Sequence, residues 1–205
     1  MNTIISEATM GWGKVKINDP AIHFSFGKVN TRKLDERQLK HLRKSLEEEG
    51  HIWYKIENML PLIVADPSWI DETSLTKDVT QGAKMGSLEL TTEGREKMTS
   101  WKMAGGQHRV KAIEQILEAK THDLNQLQKE KRTVSGKRGD GAKKAATIGR
   151  LEEAINAKSR ELEDLQYWGV IVYNEREHNF SQVLVQSRNE NAARKGDPFC
   201  ASFLC

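Results

Sequence analysis

The sequence predicts an α/β protein, a small mixed-sheet domain interrupted by an antiparallel helical hairpin. Three observations predict it. Short apolar runs of strand length, Leu60-Pro61-Leu62-Ile63-Val64-Ala65 and Tyr167-Trp168-Gly169-Val170-Ile171-Val172-Tyr173, are separated by helical patterns. A helix with a marked start follows Asp35. Between about 120 and 166, apolar residues recur at three- and four-residue steps on both sides of a basic, glycine-rich turn.

Taken in order, residues 1–21 read as a poorly determined lead-in that can be partly ordered. Ile22-His23-Phe24-Ser25-Phe26 alternates as a strand does. Asp35 then suits an N-cap, with Gln38 three residues on as a capping box requires, and Leu34 and Leu39 placed for a hydrophobic staple. Leu39, Leu42 and Leu46 keep helical spacing up to Gly50, a natural stop. The Leu60 run, ending at Asp66-Pro67, is a buried strand. Residues 71–97 show no clear period and read as an excursion with one or two short strands near Ser87 to Thr91. Ser100 to Ala104 is a short strand running into Gly105-Gly106, and a helix follows with Val110, Ile113, Ile116 and Leu117 on one face. Leu124 and Leu127 extend its stripe. Ile148, Leu151, Ile155, Leu162 and Leu165 form the facing one, and the hairpin is expected as an insertion at 120–166 within a domain spanning 22–198. Phe180 to Arg194 reads as helical. Residues 199–205 form an apolar tail, which suggests a truncated record or a tail that packs on something.

The 205 residues suffice for one domain with its own core, and 37% hydrophobic with 30% charged content places the chain among globular proteins. A net charge of +3 and a pI near 8.8 are too mild to argue for nucleic acid by themselves. Cys200 and Cys205 have no further cysteines with which to frame a disulfide scaffold or a zinc site, so a reducing compartment is expected. Glu7 stands in a start that lacks the apolar core of a signal peptide. No apolar run reaches bilayer length. The expectation is a soluble, intracellular protein, cytoplasmic or nuclear, without a membrane partner.

Three short motifs can carry chemistry. In Gly105-Gly106-Gln107-His108-Arg109, two glycines permit tight backbone just before a helix, whose first N–H groups and dipole favour an anion. Arg109 in that first turn opposes the dipole unless an anion compensates it. His108 adds a donor. The bland alternative is a strand–turn–helix junction with a solvated arginine. In Glu190-Asn191-Ala192-Ala193-Arg194, Asn191 and Arg194 share a helix face. A carboxylate beside an amide suits a hard cation completed by water and phosphate, and Arg194 suits phosphate itself. The alternative there is a polar surface helix. Asn30-Thr31-Arg32 precedes the capped helix and carries little alone.

A basic cluster at the hairpin tip comprises Lys129, Lys131, Arg132, Lys137, Arg138, Lys143 and Lys144. A solvated tip is the plain reading and contact with a phosphate backbone the sharper one. The run from Ser135 to Lys144 lacks the Gly-Lys-Ser/Thr ending and preceding strand of a P-loop. The histidines lack metal-ligand spacing. Trp168 is the clearest core tryptophan.

The order of these motifs resembles the N-terminal domain of ParB-like proteins. Thr31-Arg32 comes first, then a helix of pattern L-D-E-x-x-L-x-x-L-x-x-S-L, an apolar strand, the Gly-x-x-Arg helix start, a further strand and Glu-Asn-x-x-Arg. The family's Gly-Glu-Arg-Arg motif matches Gly106 to Arg109 at its first and last positions. Its Glu-Asn-x-x-Arg motif matches Glu190 to Arg194 at every specified position. The likeness covers roughly 22–118 and 167–198 and departs at Gln107 and His108, at the hairpin, and in having no helix-turn-helix after Arg194. Gly-Gly-Gln-His-Arg also resembles the sulfiredoxin Gly-Cys-His-Arg, but Gln107 stands where the nucleophilic cysteine would be. An amide offers no thiolate, so that activity is not expected.

The resemblance implies a ParB/sulfiredoxin-like domain that binds a nucleoside triphosphate, CTP or ATP, with Mg²⁺ near Glu190 and Asn191. Thr31, Arg32, Gly105, Gly106, Gln107, His108, Arg109 and Arg194 would form the phosphate and nucleotide site. Slow hydrolysis or phosphoryl transfer is the activity such a site would support. The competing expectation, from a different class, is a non-catalytic DNA-binding or scaffold protein that uses the basic hairpin, with self-association through the same helices.

Overall fold

The computed structural model describes residues 8–26, 34–49, 53, 55, 58–77, 84–137 and 141–176. Five strands form one mixed sheet: β1 (Thr9–Lys16), β2 (Phe24–Ser25), β3 (Leu60–Val64), β4 (Trp101–Met103) and β5 (Tyr167–Asn174). Among the described residues four α-helices stand with them: α1 (Glu36–Glu49), α2 (Thr92–Lys97), α3 (Gln107–Gly136) and α4 (Gly141–Leu165). The protein is therefore mixed α/β. Its contacts divide into two compact units, one holding the sheet and α2, the other holding α1, α3 and α4.

The sheet order is β1-β5-β3-β4-β2. β3 pairs in parallel with β5, Leu60 opposite Val170 through Val64 opposite Asn174. It pairs antiparallel with β4, Leu62 opposite Met103, and β4 in turn runs parallel to the two-residue β2. The strands inside the order are the most apolar, as strands flanked on both sides tend to be. Leu60, Leu62, Trp168, Val170 and Val172 have no exposed surface. Trp168 donates its indole N–H to the Asn58 carbonyl at 2.7 Å, so the bulkiest core side chain leaves no polar atom unpaired.

β1 falls within the lead-in over 1–21, the stretch that the sequence leaves poorly determined. Its inward positions are Gly11, Gly13 and Val15, all buried, with Ile17 following. Glycine at two of the inward positions hides the alternation by which strands are recognised. A β-carbon at Gly11 would stand 3.0 Å from both the Leu75 Cβ and the Thr76 carbonyl oxygen, and one at Gly13 would stand 3.2 Å from the Leu88 Cβ. The edge of β1 is closed by short bridges. Trp12 and Thr76 exchange N–H···O bonds of 2.9 and 2.8 Å, and Lys14 bonds to Gly86 and Leu88. Covering an edge in this way removes a template for unwanted strand pairing.

The stretch 71–97 also holds more order than its composition suggests. α2 starts at Thr91, whose hydroxyl accepts the Gly94 N–H at 3.1 Å. Near Ser87 to Thr91 the pairings among the described residues are the isolated bridges Lys14 to Ser87 and Ile70 to Leu90. The first strand expected at 22–26 is reduced to Phe24–Ser25. Leu39 is buried, whereas Leu34 is 45% exposed, so Leu34 lacks the burial a hydrophobic staple provides.

In the helical unit, α3 is one uninterrupted helix from the glycine turn to the hairpin tip. Lys120 pairs with Glu161, Asp123 with Lys158 at 3.1 Å, and Lys131 with Glu152 at 2.7 Å. Numbers rise along α3 as they fall along α4, so the two run antiparallel. Leu124, Leu127, Val134, Ile148 and Ile155 are half-buried, and Leu151 is buried, in keeping with a seam one residue wide. The buried residues of α3, from Val110 to Leu117, lie in its first three turns.

Candidate functional site

The glycine turn is built on β3 and β4. The Ala104 N–H bonds to the Pro61 carbonyl at 2.9 Å, which ends the β3–β4 ladder. Gly106 then takes φ +87°, and the helix opens at Gln107. A β-carbon at Gly106 would come within 2.3 Å of the Leu60 side chain, so this position demands glycine for conformation and for space. Gly105 differs. A β-carbon there would meet only the Pro61 ring, at 3.9 Å, an ordinary contact.

Gln107, His108 and Arg109 occupy the first turn of α3 and are half-buried, each with a partner inside the protein. The first turn has no acidic residue, which is the usual complement of a helix start. Lys111, one residue beyond Val110, is compensated. Its ammonium bonds to Glu114 at 3.0 Å, and that bond, then the charges of Glu114, Glu118 and Glu36, holds its pKa above the ordinary lysine value. Arg109, with His108 beside it, brings the cationic group closest to the start of the helix.

The other positions expected in the phosphate and cation sites, Thr31, Arg32, Glu190, Asn191 and Arg194, lie outside the described residues, as does the helix expected over 180–194. The structure thus places Gly105 to Arg109 alone of the expected phosphate and cation positions. Among the described residues no group of three or more His, Cys, Asp or Glu is arranged to hold a metal ion.

A second polar cluster had no signal in the sequence, because its partners are far apart along the chain. It sits at the carboxyl ends of the parallel pair β3 and β5. Lys102 on β4 is ion-paired with Glu175, and Arg176 with Asp66 at 2.7 Å. A cleft of about 150 Å³ lies beside them, lined by Ala65, Trp69, Thr99, Ser100, Lys102 and Glu175 among others. Asp66 also accepts the Ser68 hydroxyl at 2.7 Å and backbone N–H at 3.0 Å. Asp71 does the same for Thr73, at 2.7 and 2.9 Å.

These bonds to Ser68, joined by the Arg176 charge, hold the Asp66 carboxyl below its usual pKa, and the bonds to Thr73 do so for Asp71. A carboxylate with a folded pKa below its unfolded one stabilises the fold above the unfolded value and loses that contribution as pH falls through the folded value. The loss therefore falls below about pH 4, the ordinary carboxylate value. Denaturant midpoints between pH 5 and 3 should fall less steeply in Asp66→Asn/Asp71→Asn than in the wild type. Equal slopes would show that neither carboxylate contributes.

At the hairpin tip the basic residues separate into two kinds. Lys131 is held by Glu152. The Lys144 ammonium donates to the Ser135 and Lys137 carbonyls at 2.6 and 2.9 Å, closing the end of α3. Lys129, Arg132, Lys137 and Lys143 are exposed and form no ion pair among the described residues, and Arg138 lies outside them. An open groove of about 500 Å³ runs beside Gln128, Lys131, Arg132, Ser135 and Ile155.

No protein-family model, curated protein or solved structure matches the chain. Among the described residues no helix is long and apolar enough to cross a membrane.

Proposed function

We propose that the protein binds a nucleoside triphosphate, CTP or ATP, with its phosphates at the start of α3, in a ParB/sulfiredoxin-like domain. The observation that carries this reading is the junction at Gly106. A left-handed glycine delivers the chain directly into a thirty-residue helix whose first turn holds His108 and Arg109 and no carboxylate. Unsatisfied N–H groups and the helix dipole at such a start attract phosphate, and Arg109 supplies charge where the dipole alone would disfavour it. Mg²⁺ would be held by Glu190 and Asn191, with Arg194, Thr31 and Arg32 completing the contacts. Slow hydrolysis or phosphoryl transfer is the chemistry such a site would support. Sulfiredoxin chemistry is not proposed, because Gln107 has no thiolate.

The test is thermal unfolding with and without millimolar triphosphate and Mg²⁺. A ligand that binds only the folded state stabilises it by about 2.7 kcal/mol at a hundred times its Kd, which for a chain of this size is a rise in Tm of roughly 5–10 °C. Arg109→Ala should keep its helix signal and lose the rise. Glu190→Gln should keep the rise and lose its Mg²⁺ dependence. Absence of any rise with the four common triphosphates would remove the proposal.

A further inference from the structure

The charge of this chain is polarised along the hairpin. Residues 129–150, the tips of α3 and α4 with the residues between them, hold eight basic residues and two acidic ones. That segment carries +6 where the whole chain carries +3, so the remainder carries −3. Within it, Lys131 and Lys144 are engaged with Glu152 and with backbone carbonyls. Lys129, Arg132, Lys137, Lys143 and Arg150 are exposed and without an ion pair among the described residues. Lys129 and Arg132 lie three apart on α3, and Lys143 and Arg150 seven apart on α4, so each pair shares a helix face.

Like charges crowded on a narrow arm repel one another, and nothing in the seam requires them there. The seam is made by Val134, Ile148, Leu151 and Ile155. The two engaged lysines brace the hairpin, which leaves five cations whose side chains form no ion pair among the described residues.

We infer that the tip of the α3–α4 hairpin is a contact for the phosphate backbone of a nucleic-acid duplex. The chemistry of the segment separates this from other polyanions. No Phe, Trp or Tyr stands anywhere from 102 to 166. Single-stranded nucleic acid is held largely by base stacking on aromatic rings, which this arm cannot offer. A membrane-surface helix needs an apolar face with Trp, Phe or Leu, and the apolar residues of this tip are turned to use in the seam. Phosphates regularly spaced along a rigid duplex need only exposed cations at a matching reach. The tip helices rise about 1.5 Å per residue, so the arm from 129 to the turn spans roughly 12 Å, over which a duplex presents about seven phosphates. Recognition of this kind is independent of sequence and common to DNA and RNA duplexes. The inference does not rest on the nucleotide site.

The experiment measures binding of the full chain to fluorescent 20-base-pair DNA and RNA duplexes between 50 and 200 mM salt. Five released counterions give a slope of log K against log salt near −4.5, a loss of roughly 500-fold over that range. Neutralising Lys129, Arg132, Lys143 and Arg150 to Gln leaves the Lys131 and Lys144 contacts in place. It should flatten the slope to about −1 and weaken binding at least 100-fold at 50 mM salt. A control with the same change of charge at the exposed Lys40, Lys44, Lys84 and Lys97 should bind within about threefold of wild type. Whichever duplex binds more tightly identifies the source of the phosphates. The inference is overturned if neither duplex binds, or if the control loses as much as the tip variant. It is overturned too if polyglutamate or anionic vesicles displace the duplex at equal charge concentration, which would assign the arm to an acidic protein or a membrane.

Discussion

Gly106→Ala is expected to destabilise the protein by about 2–4 kcal/mol, combining a left-handed backbone cost of roughly 1–2 kcal/mol with an overpacking cost of roughly 1–3. Alanine is strained at φ +87°, and its methyl group would overlap the end of the Leu60 side chain, which has no exposed surface and must shift within the core. Chemical denaturation should show the loss as a lower midpoint with an unchanged slope. Gly105→Ala is the informative partner. Its β-carbon meets nothing closer than 3.9 Å and its φ is not positive, so stability should hold or rise by a few tenths of a kcal/mol as the unfolded chain loses freedom. If phosphate approaches the backbone there, Gly105→Ala remains folded and loses the triphosphate-induced rise in Tm. A Gly105→Ala protein that is as unstable as Gly106→Ala would refute the distinction between the two glycines.

Trp168→Ala should cost about 3–5 kcal/mol, the range for emptying a large aromatic site in a core that closes only partly around the gap. Trp168 lies on β5 with no exposed surface, and its N–H answers a carbonyl on a segment more than a hundred residues earlier. Trp168→Phe separates the two contributions. It keeps most of the packing but leaves the Asn58 carbonyl without its donor, at about 1–3 kcal/mol if water does not replace it. Equilibrium unfolding of the three proteins should rank wild type, Trp168→Phe, then Trp168→Ala. A Trp168→Phe protein as stable as wild type would mean the indole hydrogen bond contributes nothing.

The elements whose residues carried their own pattern were legible in advance. β3 and β5 are continuous apolar runs, α1 keeps leucines at helical spacing, and the hairpin shows its facing stripes with a glycine turn between them. β1 was not legible because Gly11 and Gly13 occupy inward positions against Leu75 and Leu88, so the information lies in the neighbours rather than in the strand. α2 was obscured by Gly94, which a helix ordinarily disfavours. A β-carbon there would stand 2.1 Å from the Trp69 carbonyl oxygen, and that close approach dictates the residue. Of the candidate site, the turn from Gly105 to Arg109 was visible as a glycine pair before a helix. The Lys102–Glu175 and Asp66–Arg176 pairs were invisible because only the strand order β5-β3-β4 brings those residues together.

That strand order also governs how the chain can be assembled. Of the described strands, β5 is the last to emerge during synthesis, and it belongs in the middle of the sheet, between β1 and β3, the first and third. Until residue 174 has left the ribosome, β3 has one unpaired edge and β1 has no sheet to join. The delay is shortened by the hairpin, because α3 and α4 meet through local contacts and pin residue 120 to residue 161 by an ion pair. Closing a loop costs more as its flexible length grows, and long-range pairings slow folding for the same reason. A hairpin already formed turns a long tether between β4 and β5 into a short one. Shortening such a tether limits the time for which an unpaired strand edge can recruit another chain.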